Sequence, residues 1–406
     1  MNILFITLLN ISHPDERSIY TDLLREFQRA GHNIYIAAAS EKRNGVKTNI
    51  KTYPTGTVLQ IRTGNIQKTG VIKKGISTIL LERQFIQAFK KYLSGIHFDA
   101  VIYSTPPITL YGAVKFIKKR DGAKSFLLLK DIFPQNAVDL ALLKTTGIWN
   151  IIYRYFKHKE EKLYQISDHI GCMSCKNVEY LLKQNPKLPK DKVSVLPNSQ
   201  QPKEYAGIEQ IRQDFCSRYN IPEKAKLFIF GGNIGMPQAV DYIFRCLKAC
   251  QDIPNVYFIF CGNGTNFRHL ERFIEDEQHQ RIRVLPLLPF DDFHILVAAC
   301  DCGLIFLDHR FTIPNFPSRL LAYMNGHIPV LAATDRNTDI GDVIKEGNFG
   351  WWCCSDDVDS FKEIVTAISR DAYDLKSLGE NGYQYFIEHY TASKGYEEFM
   401  RWYEGC

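Results

Sequence analysis

Three groups of residues in the sequence have types and spacings that could do chemistry. Ser318 and Arg319 follow an irregular, proline-bearing loop (Ile313-Pro314-Asn315-Phe316-Pro317) and precede a short apolar stretch, Leu320 to Met324, that reads as a helix. Asn325-Gly326-His327 ends that helix, and an apolar strand follows from Ile328 to Ala333. This arrangement places Ser318 and Arg319 at a helix N-terminus, where free backbone N–H groups and the helix dipole favour an anion. Serine adds a hydroxyl, and arginine a planar fork that matches phosphate oxygens. A capping serine followed by a solvated arginine is the plainer alternative. Gly231-Gly232-Asn233-Ile234-Gly235 lies between a strand and a helix, where glycines let the backbone approach a phosphate, although any tight strand–helix turn can use them. Asp131 follows the buried strand Ser125 to Leu129, and ligands of open α/β sheets bind at the carboxyl ends of strands. It could equally cap the segment after it. Together these residues suit binding of a phosphorylated ligand, with a carboxylate to handle a hydroxyl.

The elements that must position them read as a doubly wound α/β pattern, twice over. Ile3 to Leu9 is an apolar, β-branched run typical of a buried parallel strand. A polar loop, Asn10 to Arg17, leads into a helix from about Ser18 to Ala30 with an apolar face at Ile19, Leu23, Leu24 and Phe27, closed by Gly31. Ile34 to Ala38 is the next strand, Ala100 to Tyr103 another, and Val193 to Asn198 the last of the first domain. Ser199 to Glu209 reads as a linker. The pattern restarts with a strand at Lys226 to Phe230, a helix from about Gln238 to Ala249, and a strand at Val256 to Cys261 that runs into Gly262-Asn263-Gly264. Strands at Arg283 to Pro286, Cys302 to Leu307 and Ile328 to Ala333 continue it, and a helix is expected from about Asn381 to Tyr403. No G-x-G-x-x-G follows the first strand, which argues against a dinucleotide cofactor.

At 406 residues the chain is too long for one ordinary core. Its 45% apolar and 13% aromatic content is that of a globular protein, and no apolar run reaches the roughly 18 residues needed to span a bilayer. The opening MNILFITLLN has no basic flank or cleavage site and reads as a strand, not a signal peptide. Eleven cysteines, an odd number, argue for free thiols in a reducing cytoplasm. The net charge of +6 conceals a basic first half: residues 1–200 hold 30 Lys and Arg against 15 Asp and Glu, and the remainder 20 against 29. That asymmetry suits a phosphorylated substrate or an anionic membrane surface; nucleic-acid motifs are absent. Within residues 64–95, Ile76, Ile79, Leu80, Phe85, Ile86, Phe89 and Leu93 mark a helix flanked by Lys73, Lys74, Lys90 and Lys91, read as core-facing rather than membrane-bound. Residues 147–165 interleave aromatics with basic residues, which suits either a membrane interface or an ordinary amphipathic helix. Cys172 and Cys175 form a lone CxxC without the second pair a zinc site needs. Cys246 and Cys250 read as packing residues, and no role attaches to Cys300, Cys302, Cys353 or Cys354. HExxH, GxSxG and P-loop motifs are absent, so metal catalysis is not indicated.

Across essentially its whole length the sequence resembles the family 4 glycosyltransferases of the GT-B fold, most of all the bacterial branch that builds capsules and O-antigens. The motifs are ERSIYTDLLREFQRAGH (Glu16–His32), KDIFPQNAVDL (Lys130–Leu140), GCMSCKNVEYLL (Gly171–Leu182), GGNIGMPQAV (Gly231–Val240), NFPSRLLAYM (Asn315–Met324) and NTDIG (Asn337–Gly341). The resemblance implies two Rossmann-like domains facing across a cleft: residues 1–200 for the acceptor, 201–380 for a nucleotide-sugar, and a C-terminal helix, 381–406, packing back on the first. It implies a donor diphosphate on Gly232, Asn233 and Gly235, with Arg319 as the phosphate base and Ser318 beside it. The pair of glutamates widespread in the family would fall at Pro314 and Ala322, and a basic residue near Met236; none is present. Asp339 is then a substitute hydroxyl contact, and Asp131 the residue that orients the acceptor or serves as base. The implied activity is a retaining, metal-independent transfer from a UDP-sugar to a polyprenyl-linked or oligosaccharide acceptor, on the cytoplasmic side of a membrane and without a cofactor. A nucleotide-sugar 2-epimerase and a non-catalytic sugar-nucleotide-binding subunit are the alternatives.

Overall fold

The computed structural model describes residues 1–65, 71–277 and 279–405, with side chains described outside 71–79. The chain divides into two units, Met1–Pro197 together with Ala392–Cys406, and Asn198–Thr391. In the first, strands β1 (Asn2–Thr7), β2 (Asn33–Glu41), β3 (Asn49–Tyr53), β4 (Gly56–Thr63), β5 (Ala100–Ser104), β6 (Lys124–Leu129), β7 (His169–Cys172) and β8 (Val193–Val195) form one sheet. Its order is β3-β4-β2-β1-β5-β6-β7-β8, parallel throughout except for β3, which runs antiparallel to β4. The continuous apolar runs of β1, β5 and β6 follow from burial on both faces. The first helix, Ile19–Arg29, starts where the Ser18 hydroxyl accepts from the Thr21 N–H, and it buries Leu23, Leu24 and Phe27.

In the second unit β9 (Lys226–Asn233), β10 (Val256–Asn263), β11 (Ile282–Pro286), β12 (Cys302–Phe306), β13 (Val330–Thr334) and β14 (Gly350–Cys354) are all parallel. Their order is β11-β10-β9-β12-β13-β14. Counted within the unit this is 3-2-1-4-5-6, the Rossmann order, and the chain reverses direction across the sheet between β9 and β12. Both units are thus doubly wound α/β structures, as the sequence pattern implies.

Some elements differ from expectation. The β3–β4 hairpin and the edge strand β14 carry no clear period-2 signal and went unrecognised. The single C-terminal helix expected over Asn381–Tyr403 is two helices, Leu375–His389 and Ala392–Glu404. Thr391 forms a lone bridge with Gln200, which takes its backbone out of the helix. The helix near residue 80 runs Val71–Tyr92; it buries Phe85 and Phe89, with Leu93 buried just beyond it, but leaves Leu80 exposed, while Lys73, Lys74, Ile76 and Ile79 lie outside the residues whose side chains are described. Among the described residues no helix is long and apolar enough to cross a membrane.

The Ala392–Glu404 helix belongs to the first unit. Phe399 is buried between the rings of Phe27, 4.9 Å away, and Phe126, 5.0 Å away. Phe399→Ala leaves a ring-sized cavity and should cost about 3–5 kcal/mol. Urea unfolding monitored by far-UV circular dichroism will read this; an unchanged midpoint would mean that the last helix is not part of the core.

Candidate functional site

Ligands of doubly wound sheets bind beyond the strand ends where the strand order reverses. In the second unit that point lies between β9 and β12. β9 ends in the glycine turn. Gly232 has φ +109°, a conformation that side chains with a Cβ rarely adopt. A Cβ on Gly262 would stand 1.9 Å from the Gly232 carbonyl oxygen, so the ends of β9 and β10 pair this closely only because residue 262 has none. Gln238 clamps the first turn: its Oε1 accepts from the Gly235 N–H at 3.0 Å and from Asn233 Nδ2 at 3.3 Å.

The chain leaving β12 returns as the Arg319–Asn325 helix, whose residues Leu320 to Asn325 are all buried. Tyr323 anchors it at the reversal. Its hydroxyl donates to the Leu304 carbonyl of β12 at 2.8 Å and accepts from the Gly231 N–H of β9 at 3.4 Å. The ring fits because Gly303 has no Cβ, which would stand 2.3 Å from it. One turn earlier, the Arg319 guanidinium lies over the Phe230 ring, 4.1 Å from its centroid. Its Nη2 is 3.8 Å from where a Gly232 Cβ would be. Its Nη1 is buried and has no acceptor among the described residues. Burial pulls the Arg319 pKa down, with nearby Tyr323 acting in the opposite sense. A buried cationic donor with no acceptor is costly, and an oxyanion over the glycine turn relieves that cost.

The other expected residues fare differently. Ser318 is exposed and its hydroxyl makes no capping bond. Two of the N–H groups there are engaged: Leu320 N–H donates to Pro317 O at 3.3 Å and Leu321 N–H to Ser318 O at 3.1 Å. The cationic group at this point is the guanidinium, and the helix end adds fewer free donors than its sequence suggests. Asp339 is buried just before the Ile340–Glu346 helix. Next to it the Thr338 hydroxyl donates to Asn315 O at 2.6 Å, and Asn337 Nδ2 donates to Phe311 O at 2.5 Å. These bonds hold the proline loop against the end of β13. Pro314 and Ala322 are buried, and Met236 is exposed. Asn315, which sequence reasoning passed over, also has a buried Nδ2 without an acceptor among the described residues.

Asp131 lies just beyond β6 in the first unit. The Thr105 hydroxyl accepts from the N–H groups of Lys130 at 3.1 Å and Asp131 at 3.2 Å, and donates to Asp131 O at 3.1 Å. Asn136 Nδ2 donates to its Oδ1 at 2.7 Å. It is not a cap: the N-cap of the next helix, Gln135–Asp139, is Pro134. Burial pushes its pKa up to about 6; the bonds from Asn136 and the Ile132 backbone oppose this, and the charge of Glu160 adds to it. Such a carboxyl can take or hold a proton near neutrality. Its surroundings were not legible in sequence. Glu160 is buried and accepts from Tyr164 Oη at 2.8 Å and Lys157 Nζ at 2.6 Å. Neighbouring Lys130 is pushed down to about 7 by burial. The i, i+3 and i, i+4 spacing of Lys157, Glu160 and Tyr164 in one helix was the available signal.

Two Rossmann-like units, one with a cationic donor at its strand-order reversal, make up an architecture of the GT-B kind. Comparison with known proteins agrees. Residues 212–385 match the family model described as "Glycosyl transferases group 1". The chain is 27% identical over 309 residues to the "Probable glycosyltransferase WbjE" of Pseudomonas aeruginosa, covering 74% of each. It superposes on WaaG, "a glycosyltransferase involved in lipopolysaccharide biosynthesis", with TM-score 0.67 and 14% identity over 98% of both chains. It superposes on Anabaena HepE in complex with UDP-glucose with TM-score 0.69 and 12% identity over the full length of both. The matched stretch lies within the second unit, and these likenesses support a transferase.

The raised Asp131 pKa has a stability consequence. A carboxyl whose pKa is higher folded than unfolded favours the folded state fully only below the unfolded value of about 3.9. That contribution is lost as pH rises through about 6. Asp131→Asn should therefore melt above the wild type at pH 7 to 8, with the difference vanishing near pH 3.5. Scanning fluorimetry across that range checks it; a pH-independent difference would contradict the burial argument.

Proposed function

We propose that this protein is a retaining family 4 glycosyltransferase that moves a sugar from a UDP-linked donor to a polyprenyl-linked or oligosaccharide acceptor in surface polysaccharide synthesis, at the cytoplasmic face of a membrane. The observation that carries the reading is the Arg319 guanidinium, stacked on Phe230 with Nη1 buried and lacking an acceptor among the described residues. The UDP-glucose complex of HepE supports the donor class, and the involvement of WaaG in lipopolysaccharide biosynthesis supports the pathway class. The basic first half supports a partner with anionic character.

In this reading the donor diphosphate lies over Gly232, Asn233 and Gly235. As the bond from the anomeric carbon to the diphosphate oxygen breaks, its electron pair moves onto the diphosphate. Arg319 stabilises the charge that develops there, a role a metal fills in other transferases. The acceptor hydroxyl forms the new bond on the face the diphosphate leaves, and its proton passes to the departing phosphate oxygen. Asp131 holds the acceptor hydroxyl. Asp339 and Asn315 supply hydroxyl contacts in place of the glutamates that Pro314 and Ala322 replace.

A nucleotide panel of UDP, GDP, CMP and NAD, read by thermal shift, tests the donor assignment. At a hundredfold excess over Kd a ligand selective for the native state adds about 2.7 kcal/mol, which is an easily measured rise. UDP should give it and Arg319→Ala should abolish it while folding normally. No shift with any nucleotide, or a full shift in the variant, would contradict the reading.

A further inference from the structure

Beyond Leu9, Leu80 and Leu142, the large exposed apolar side chains described in the first unit lie on one short stretch of chain. Ile148 is 76% and Ile151 70% exposed, and Trp149, Ile152 and Tyr155 are exposed with them. At about 100° per residue, Ile148, Ile151, Ile152 and Tyr155 share one face of the Trp149–Ile166 helix, with Trp149 at its edge. The same face continues to Lys159 and Lys162. Polarity is ordered along it. The isoleucines come first, then Tyr155, then Lys159, whose Nζ lies 5.8 Å from the Tyr155 ring centroid, and Lys162, 5.9 Å from that of Tyr111. Ile148 and Lys159 are about 16 Å apart along the axis. Hydrocarbon, then aromatic rings, then cations is the order in which a bilayer presents acyl chains, interface and headgroup phosphates.

At the lysine end of this ridge lies a pocket of about 350 Å³, lined by Glu82, Arg83, Lys90, Thr109, Tyr155 and Lys159 among others. Three cations face one carboxylate, and Glu82 is set against Gly112. Arg83, Lys90 and Lys159 have no carboxylate partner among the described residues. Thr109 is buried, 5% exposed, and its Oγ1 has no hydrogen-bond partner among them. Lys90 and Lys159 lie over the Phe116 and Tyr155 rings, 5.7 and 5.8 Å from the centroids, which leaves their N–H donors for an acceptor; a buried hydroxyl without a hydrogen-bond partner beside cations without a carboxylate fits a phosphate ester, which accepts from all of them.

We propose that this face docks the first unit on an anionic phospholipid bilayer: the Ile148–Ile152 ridge enters the acyl region, and the pocket takes a phospholipid phosphate. The inference rests on the membrane-side reading given above and names the surface responsible. Co-sedimentation of the full chain with phosphatidylcholine vesicles, with and without phosphatidylglycerol, tests it. The wild type should bind the anionic vesicles roughly ten-fold or more tightly than the neutral ones, and lose that preference at high salt. Ile148→Ser with Ile151→Ser should weaken binding to both by about ten-fold or more. Arg83→Gln with Lys159→Gln should bring anionic binding down to the neutral level. Both pairs should keep the wild-type melting temperature and the UDP-induced shift. Variants that sediment like the wild type, or a wild type that binds no vesicles, would overturn the inference. A UDP shift without vesicle binding removes this inference alone; vesicle binding without any nucleotide shift removes the donor reading and leaves this one standing.

Discussion

A charged guanidinium held against an aromatic ring at a strand-order reversal is the constraint on which the second unit depends. Arg319 lies 4.1 Å from the centroid of Phe230, and the backbone beside it is Gly232. The aromatic face stabilises the cation, and by a larger margin when solvent is excluded. The cost of keeping Nη1 away from an acceptor remains, and a diphosphate is the kind of ligand that offsets it. Neither a lysine, with its compact ammonium, nor a solvated arginine would combine a flat stacking surface with a directed fork.

Much of the surrounding structure serves to hold that guanidinium in place. Tyr323 ties its helix to β9 and β12 through one hydroxyl. Gly303 leaves room for the Tyr323 ring, and Gly231 does the same for Phe293, which a Cβ would approach to 2.0 Å. The proline loop that delivers Arg319 is held by Asn337 and Thr338. In the first unit the same design recurs with opposite sign. A carboxyl, Asp131, is fixed beyond a central strand by Thr105 and Asn136 and desolvated enough to have a raised pKa. The second unit thus holds a preorganised guanidinium beyond its strand ends, and the first a preorganised carboxyl beside Lys130.

The central strands were legible in the sequence because burial on both faces writes an unbroken apolar run, as in Ile3 to Ile6 and Leu227 to Phe230. The β3–β4 hairpin and β14 were not, since strands at or near a sheet edge carry mixed patterns: in β3 no residue is buried, and in β14 Trp351 and Trp352 are only partly so. The break at Tyr390–Thr391 was hidden because neither glycine nor proline marks it; a long-range bridge to Gln200 does. At the site, residue type and spacing marked the glycine turn and Arg319 separately, only the family resemblance paired Gly232 with Arg319, and in the structure the Arg319 guanidinium lies beside Gly232. Sequence could not reveal that Phe230 supports the guanidinium, that the Leu320 and Leu321 N–H groups are already engaged, or that the charge of Glu160, in a helix 29 residues further on, acts on Asp131. Those are tertiary facts, set by which strands are neighbours.

The central claim is that Arg319 Nη1 receives the donor diphosphate at the strand-order reversal. A crystal structure of the protein soaked with UDP tests it most directly. The account predicts a phosphate oxygen within about 3 Å of Nη1, the diphosphate resting over the Gly232 turn, and the Phe230 stack intact. UDP bound with its phosphates elsewhere, and Nη1 still without an acceptor, would contradict it.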